Sequence, residues 1–150
     1  MMAVEIRILQ RGDAAVLAHV LPGVFDRGID VARTEEFLAD PRHHLAVAVE
    51  DGAVIGFASG VDYIHPDKPR ELWINEVGVA PERQGRGLGR AVVRALLDRG
   101  RALGCTEAWV LTERGNDRAM RLYAALGGEE EPEPVMFTFR LDADETRRDS

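Results

Sequence analysis

Residues Glu71–Thr112 read ELWINEVGVAPERQGRGLGRAVVRALLDRGRALGCTEAWVLT, and this stretch decides how the chain folds. ELWINEVGVA is rich in Val, Ile and Trp and reads as a strand. The chain then breaks at Pro81 and passes glycine at 85, 87 and 89 and arginine at 83, 86 and 90. A helical pattern follows from about Gly87 to Leu103, its stripe being Leu88, Val92, Ala95, Leu96 and Leu103 at three- and four-residue spacing. TEAWVLT reads as a second strand. A strand, a crossover helix and a further strand bring the two strands parallel.

Glycine costs about 1 kcal/mol against alanine in a helix interior, so three glycines where a helix begins need a reason. Two nucleotide fingerprints fail. A P-loop needs G-x-x-x-x-G-K-[ST], and the only lysine, Lys68, sits elsewhere. The dinucleotide pattern G-x-G-x-x-G, started at Gly85, needs a glycine where Arg90 stands. Two readings remain. One is a flexible turn. The other is an anion cradle, in which free N–H groups and the positive helix end hold a phosphate. Missing side chains at Gly85, Gly87 and Gly89 then make room, and Arg83, Arg86 and Arg90 add charge.

Working outward, VEIRILQR suits a first strand, and Asp13 is a candidate N-cap for a helix to about Leu21. PGVFDRGID is a break, and Thr34 is a candidate N-cap for a short helix to Leu38. HHLAVAVE and AVIGFASGVD, joined at Asp51-Gly52, predict a β-hairpin. NDRAMRLYAAL predicts a helix with Ala119, Leu122, Tyr123 and Leu126 on one face and Gly127 as C-cap. VMFTFRL reads as a final strand, and the polar residues after Asp142 as a frayed tail. The expected architecture is one α+β domain with a mixed, mostly antiparallel sheet of about six to seven strands and four helices.

The 150 residues suffice for one domain with a sizeable core, at 45% hydrophobic and 30% charged residues. No apolar run approaches a membrane span and the start lacks a signal pattern, so a cytoplasmic protein is expected. Lone Cys105 cannot form an internal disulfide and reads as a buried filler. A formal charge of −7 disfavours nucleic acid as a partner. It either serves solubility or attracts a cationic small molecule. His19, His43, His44 and His65 show no metal-ligand spacing, so no metal site is expected.

Gln84-Gly85-Arg86-Gly87-Leu88-Gly89 resembles the Q/R-x-x-G-x-G/A motif of the GNAT N-acetyltransferases. Asn116 to Gly128, NDRAMRLYAALGG, resembles their second motif, N-x-x-A-x-x-L-Y-x-x-x-G-F, with Gly128 where an aromatic is usual. The element order is similar to that family over about residues 4–141. The resemblance implies acetyl-CoA as donor, with its pyrophosphate on the turn Gln84 to Arg90. It also implies a pantetheine arm between parallel strands that splay apart, at Val77 to Val79 and Trp109 to Thr112. Gly78 inside a strand suggests a bulge, which would free N–H groups at Val77 and Val79 to bind the pantetheine amide and polarise the thioester. Asn116 and Ala119 belong to the second motif. Asn116 would bond the arm, cap its helix, or do both.

Acetyl transfer to an amine needs a neutral amine and a proton for the departing thiolate. Glu76 shares a strand face with Leu72 and Ile74 just before the expected bulge. Desolvation there would strengthen it as a base, and the alternatives are a substrate anchor or a structural carboxylate. Tyr123 would be the general acid by the resemblance, or a core aromatic by its stripe alone. The chemistry can run by direct attack, without an acyl-enzyme.

A narrower resemblance covers FLADPRHHLAVAVEDGAVIGFASGVDYIHPDKPRELWINEVGVAP, LGCTEAWVLT and RLYAALGG. These are similar to the type-I aminoglycoside 3-N-acetyltransferases, implying a polycationic acceptor acetylated at its 3-amino group. Asp26 and Asp30, with Glu35 and Glu36, lie in the early region that often covers the acceptor, and His65 could line that site. The run Glu129, Glu130, Glu131 and Glu133 could add carboxylates or be a solvated surface. The rival readings are another amine acceptor (a polyamine, a peptide N-terminus, a small metabolite) or a cofactor-sensing module without catalysis. Family members often form homodimers.

Overall fold

The computed structural model of the chain describes residues 3–142. The elements run β1 (Val4–Ile8), α1 (Val31–Ala39), β2 (His43–Glu50), β3 (Ala53–Tyr63), β4 (Glu71–Val79), α2 (Leu88–Ala102), β5 (Glu107–Val110) and α3 (Asp117–Ala125), with short 3-10 turns at Ala14–Ala18 and Pro81–Arg83. The strands form one sheet in the order β1-β2-β3-β4-β5. The first four pair antiparallel, and β4 and β5 pair parallel. The α+β class and mixed sheet stand. The described residues hold five strands and three α-helices, fewer than the six to seven and four expected.

Each difference has a physical cause. The helix expected from Asp13 shrinks to one 3-10 turn. His19 accepts from the Val54 N–H of β3 at 2.8 Å and Leu21 donates back to Val54 at 3.0 Å, so the chain joins β3 instead of continuing as helix. Asp13 accepts from the Gln10 N–H and caps nothing. The next helix starts earlier than expected, because Asp30 is its cap, accepting from the Arg33 N–H at 2.9 Å. Thr34 lies within the first turn and its hydroxyl donates to the Asp30 carbonyl. The segment VMFTFRL pairs with no strand of the described sheet.

The Asp51-Gly52 hairpin forms as expected. Both residues have positive φ, 52° and 75°, as a two-residue type I′ turn requires. Alternation along β2 then sends Ala46 and Ala48 to one face and Leu45 and Val47 to the other. On the first face α2 lies against the sheet through Leu88, Val92, Val93 and Leu96. Gly100 lets it close in, since a Cβ there would stand 3.0 Å from Leu72. On the second face lie Leu17, Val24 and Leu38, from the early turn, the loop after it and α1.

The functionally decisive feature is where β4 and β5 part. They pair only from Glu71–Glu107 to Ile74–Val110. Beyond Ile74, β4 continues to Val79 while β5 has ended. A register shift falls at the same place: Gly60 opposes Ile74 but Ser59 opposes Glu76, leaving Asn75 as the extra residue. The bulge is therefore at Asn75, not at Gly78, which pairs regularly with Phe57. Gly78 is glycine for another reason. A Cβ there would stand 2.1 Å from the Val24 carbonyl oxygen, because the loop after the 3-10 turn crosses β4 at that point.

Candidate active site

The divergence of β4 and β5 opens a cavity of about 980 Å³ between β4, the glycine turn, the first turn of α2 and the start of α3. Its wall gathers Glu76, Val77, Gly78, Val79, Gln84, Gly85, Gly87, Leu88, Gly89, Arg90, Asn116, Ala119 and Tyr123. These residues were expected from the strand at Glu76 to Val79 and from two motifs about thirty positions apart, and the fold brings them to one place. Asp26 joins them from the crossing loop.

The backbone explains how the wall can bind. Ala80 donates to Ile55 of β3 at 2.9 Å. Alternate N–H groups of a strand point to opposite edges, so those of Val77 and Val79 face the side that β5 has left. Gly85 and Gly87 have φ of 82° and 77°, and a Cβ at either would meet nothing within 4 Å. Their conformation demands glycine, and the space beside them is open to a ligand. Gly87 is the N-cap of α2, so the first-turn N–H groups at Leu88, Gly89 and Arg90 lack intrahelical partners and face a region of positive helix-end potential. Gly89 has a packing role as well, since a Cβ there would come to 3.4 Å from Leu122 of α3.

The arginines divide. Arg90 lines the cavity, and so do Arg118 and Arg121 of α3, which sequence reading missed. Arg86 does not. Its Nη2 lies 3.1 Å from Glu50, and Arg83 Nε donates to the same carboxylate at 2.9 Å. Glu50, at the end of β2, thus holds the turn from behind. The hydrogen bond from Arg83, aided by Arg86 and opposed by burial, keeps its carboxyl below the usual carboxylate range. Glu50 was missed because its partners lie 33 and 36 residues away. Its burial among exposed-type residues is a property of the fold alone.

Asn116 caps α3, its Oδ1 accepting from the Ala119 N–H at 3.1 Å, and the residue also lines the cavity. Tyr123 is half-buried on α3, and burial raises its phenol above the usual value, so it stays protonated at neutral pH. At the end of α3, Gly127 has φ of 88°, and the Gly128 N–H reaches the Tyr123 carbonyl at 2.9 Å. This C-cap explains the missing aromatic, since a Cβ at Gly128 would crowd that carbonyl at 2.9 Å.

A second cavity of about 500 Å³ adjoins the first. Asp26, Phe57, Asn75 and Glu76 line both. Phe25 stacks on Phe57 with ring centroids 3.9 Å apart, and Phe37 and Leu45 extend the apolar lining. Glu76 stands at the junction. The expected desolvation is absent, because its side chain is exposed there. Asp30 lines the second cavity, but one carboxylate oxygen is engaged as the α1 cap. His65 lies outside both cavities, with Nε2 3.1 Å from Glu71 and its ring against Tyr63. Among the described residues no group of three or more His, Cys, Asp or Glu converges as a metal site, and no helix is long and apolar enough to cross a membrane.

The sequence matches the acetyltransferase (GNAT) family over residues 17–127. The chain belongs to this family. It is 35% identical over 126 residues to the N-alpha-acetyltransferase RimI of Mycobacterium tuberculosis, covering 83% of this chain and 77% of that protein. It is 30% identical to the L-2,4-diaminobutyric acid acetyltransferase of Nocardia farcinica, of which it spans 62%. Among solved structures, the aminoglycoside N-acetyltransferase AAC(6')-Iy in complex with CoA aligns at TM-score 0.73 and 24% identity, over 93% of this chain and 97% of that one. The same enzyme with a bisubstrate analogue, CoA-S-monomethyl-acetylneamine, aligns at TM-score 0.72 and 25% identity, over 92% and 99%. This GNAT chain is therefore an acetyltransferase with acetyl-CoA as cosubstrate. The open strand edge, the glycine turn and the arginines suit a long, polyanionic thioester.

Proposed function

We propose that this enzyme acetylates a primary amine of an aminoglycoside, at the 3-amino group, by direct attack. The observation that carries the reading is the pair of adjoining cavities with Glu76 at their junction. Acetyl-CoA supplies the activated acetyl group. The turn Gln84 to Arg90, with Arg118 and Arg121, holds its phosphates. The Val77 and Val79 N–H groups, with Asn116, hold its arm and orient the thioester. Glu76, directly or through water, takes the proton from the incoming ammonium, and Asp26 holds a second cationic centre beside it. Tyr123 gives its phenolic proton to the sulfur as the bond to the acetyl group breaks. Exposure of Glu76 suits contact with a solvated cationic amine, and the net charge of −7 attracts a polycation.

A second acceptor, a peptide N-terminus, is favoured by the RimI relative and by the apolar wall of Phe25, Phe37 and Phe57, which suits an uncharged side chain. An acceptor screen with acetyl-CoA and thiol detection separates the two. Turnover on gentamicin-type aminoglycosides with no turnover on short peptides is the expected result. Turnover on peptides alone replaces the aminoglycoside reading with the second, and CoA binding without thiol release from any amine removes both.

A further inference from the structure

The second face of the sheet carries a patch outside both cavities of the active site. Leu72 and Ile74 of β4 are buried on the side of α2, so Glu71, Trp73 and Asn75 line the opposite face. Asn75 also lines the smaller cavity, beside Glu76. The row therefore runs on from the cavity along β4, over roughly 13 Å from Asn75 to Glu71 at about 3.3 Å per residue. β5 widens it, with Trp109 in register with Trp73 and Glu107 in register with Glu71.

Trp73 and Trp109 stack with ring centroids 5.5 Å apart and planes 17° from parallel. They are the only tryptophans of the chain. A chain of polar contacts fixes the pair. Trp109 Nε1 donates to the Tyr63 oxygen, and the Tyr63 hydroxyl donates to Glu71 Oε1 at 3.1 Å. His65 completes the support, its ring edge-on to Tyr63 and its Nε2 3.1 Å from Glu71 Oε2. Both Glu71 oxygens are thus engaged beneath the aromatics, while Trp109 and Glu107 stand exposed. Arg70, next to Glu71 in the chain, pairs instead with Asp62, which alternation places on the opposite face. An indole surface beside an exposed carboxylate attracts a cation through both its quadrupole and its neighbour's charge.

We propose that Trp73, Trp109 and Glu107 form a distal acceptor subsite, which holds a second ammonium-bearing ring while the first amine reacts at Glu76. The proposal rests on the polycationic-acceptor reading above and deepens it. The row gives the acceptor a direction, from Glu76 back along β4 towards Glu71. It also sets a length: an acceptor of one ring seated at Glu76 ends before Glu107, about four strand positions away. Because Tyr63, His65 and Glu71 hold the indoles in place beforehand, binding there orders little of the protein.

Tryptophan fluorescence reads this subsite directly and needs no turnover. Gentamicin titrated into the full chain held with CoA should change the emission saturably, at concentrations that match its KM. Glucosamine, a single amine-bearing ring, should leave the emission unchanged. Glu107→Gln, at an exposed position, should raise both the gentamicin midpoint and its KM about two- to five-fold while kcat holds. Trp109→Phe keeps an aromatic ring and should shift both in the same direction. Turnover of gentamicin with unchanged emission, an equal response to glucosamine, or a midpoint unmoved by both substitutions overturns the subsite and leaves the aminoglycoside reading standing. A saturable emission change without turnover keeps the subsite and removes that reading. Neither turnover nor an emission change overturns both.

Discussion

At the scale of single residues, Tyr123 and Glu50 carry separable consequences. Burial lifts the Tyr123 phenol above its ordinary value of 10.0. The protonated form is the one that can donate, so in the proposed acid role Tyr123 would remain competent across neutral and mildly alkaline pH and fail only above its raised pKa. Tyr123→Phe keeps the ring and its packing. It is expected to lower kcat by about 10²-fold or more with little change in KM for acetyl-CoA or in Tm. A lowered Tm with unchanged kcat would make Tyr123 a packing residue. Glu50 touches no expected ligand, so its role is positioning. Glu50→Gln releases Arg83 and Arg86 from their shared carboxylate and is expected to raise KM for acetyl-CoA several-fold while kcat holds. Glu50→Asp, which retains the charge, should recover part of the affinity. Steady-state kinetics with acetyl-CoA varied would read the difference.

At the scale of elements, what could be read in advance was what local chemistry decides. The Asp51-Gly52 turn, the stripe of α2 and the Asn116 cap each depend on neighbours within one turn or two, and all three formed. Apart from the α1 cap, which moved from Thr34 to Asp30, the errors came where a distant strand intervened. β3 recruits His19 to Leu21 and ends the first helix, and Ser59 and Gly60 set the bulge at Asn75. Gly78 looked like a bulge glycine because its true reason, the Val24 carbonyl crossing above it, lies more than fifty residues back. The ends of β2 and β3 are similarly joined by a contact invisible in the sequence. Asp62, nearly inaccessible to solvent, meets His44 Nε2 and Arg70 Nη1, each at 2.5 Å. Burial opposes the Asp62 charge, but the hydrogen bonds and charges of His44 and Arg70 outweigh it and lower its pKa below 3.8. A depressed carboxylate stabilises fully above its unfolded pKa and loses that contribution as pH falls through the folded value. Asp62→Asn should therefore cost about 3 kcal/mol at pH 7, the low end for a broken buried pair because Arg70 is part-exposed. It should also flatten the fall of Tm with acid below about pH 4. A parallel shift of both acid limbs would deny Asp62 this role.

At the scale of the whole molecule, charge has two opposite jobs. The chain carries 26 acidic and 19 basic side chains, yet Arg83, Arg90, Arg118 and Arg121 all line the larger cavity. The overall field draws a cation and repels a polyanion, and the cavity arginines would reverse that locally for a donor bound as proposed. Salt screens both, with a Debye length of about 8 Å at physiological strength. Raising salt from low to physiological levels is expected to increase KM for a cationic acceptor by a few-fold. KM for acetyl-CoA should move less, because its contacts are short-range. Equal slopes for the two substrates would count against a split field.

The early end of β4 and β5 pairing has a consequence for solubility. A strand edge with unmet N–H groups normally sits at the rim of a sheet, where charge or a bulge blunts it. Here Val77 and Val79 present such an edge inside the sheet, between its fourth and fifth strands, with Phe57, Val110, Leu111 and Leu122 among the lining. In the donor-free protein that interior slot is open to any extended peptide that can enter. In the proposed donor pose acetyl-CoA would act as a plug as well as a reagent: free enzyme should cloud sooner on warming than enzyme held with CoA, by more than the gain in Tm explains.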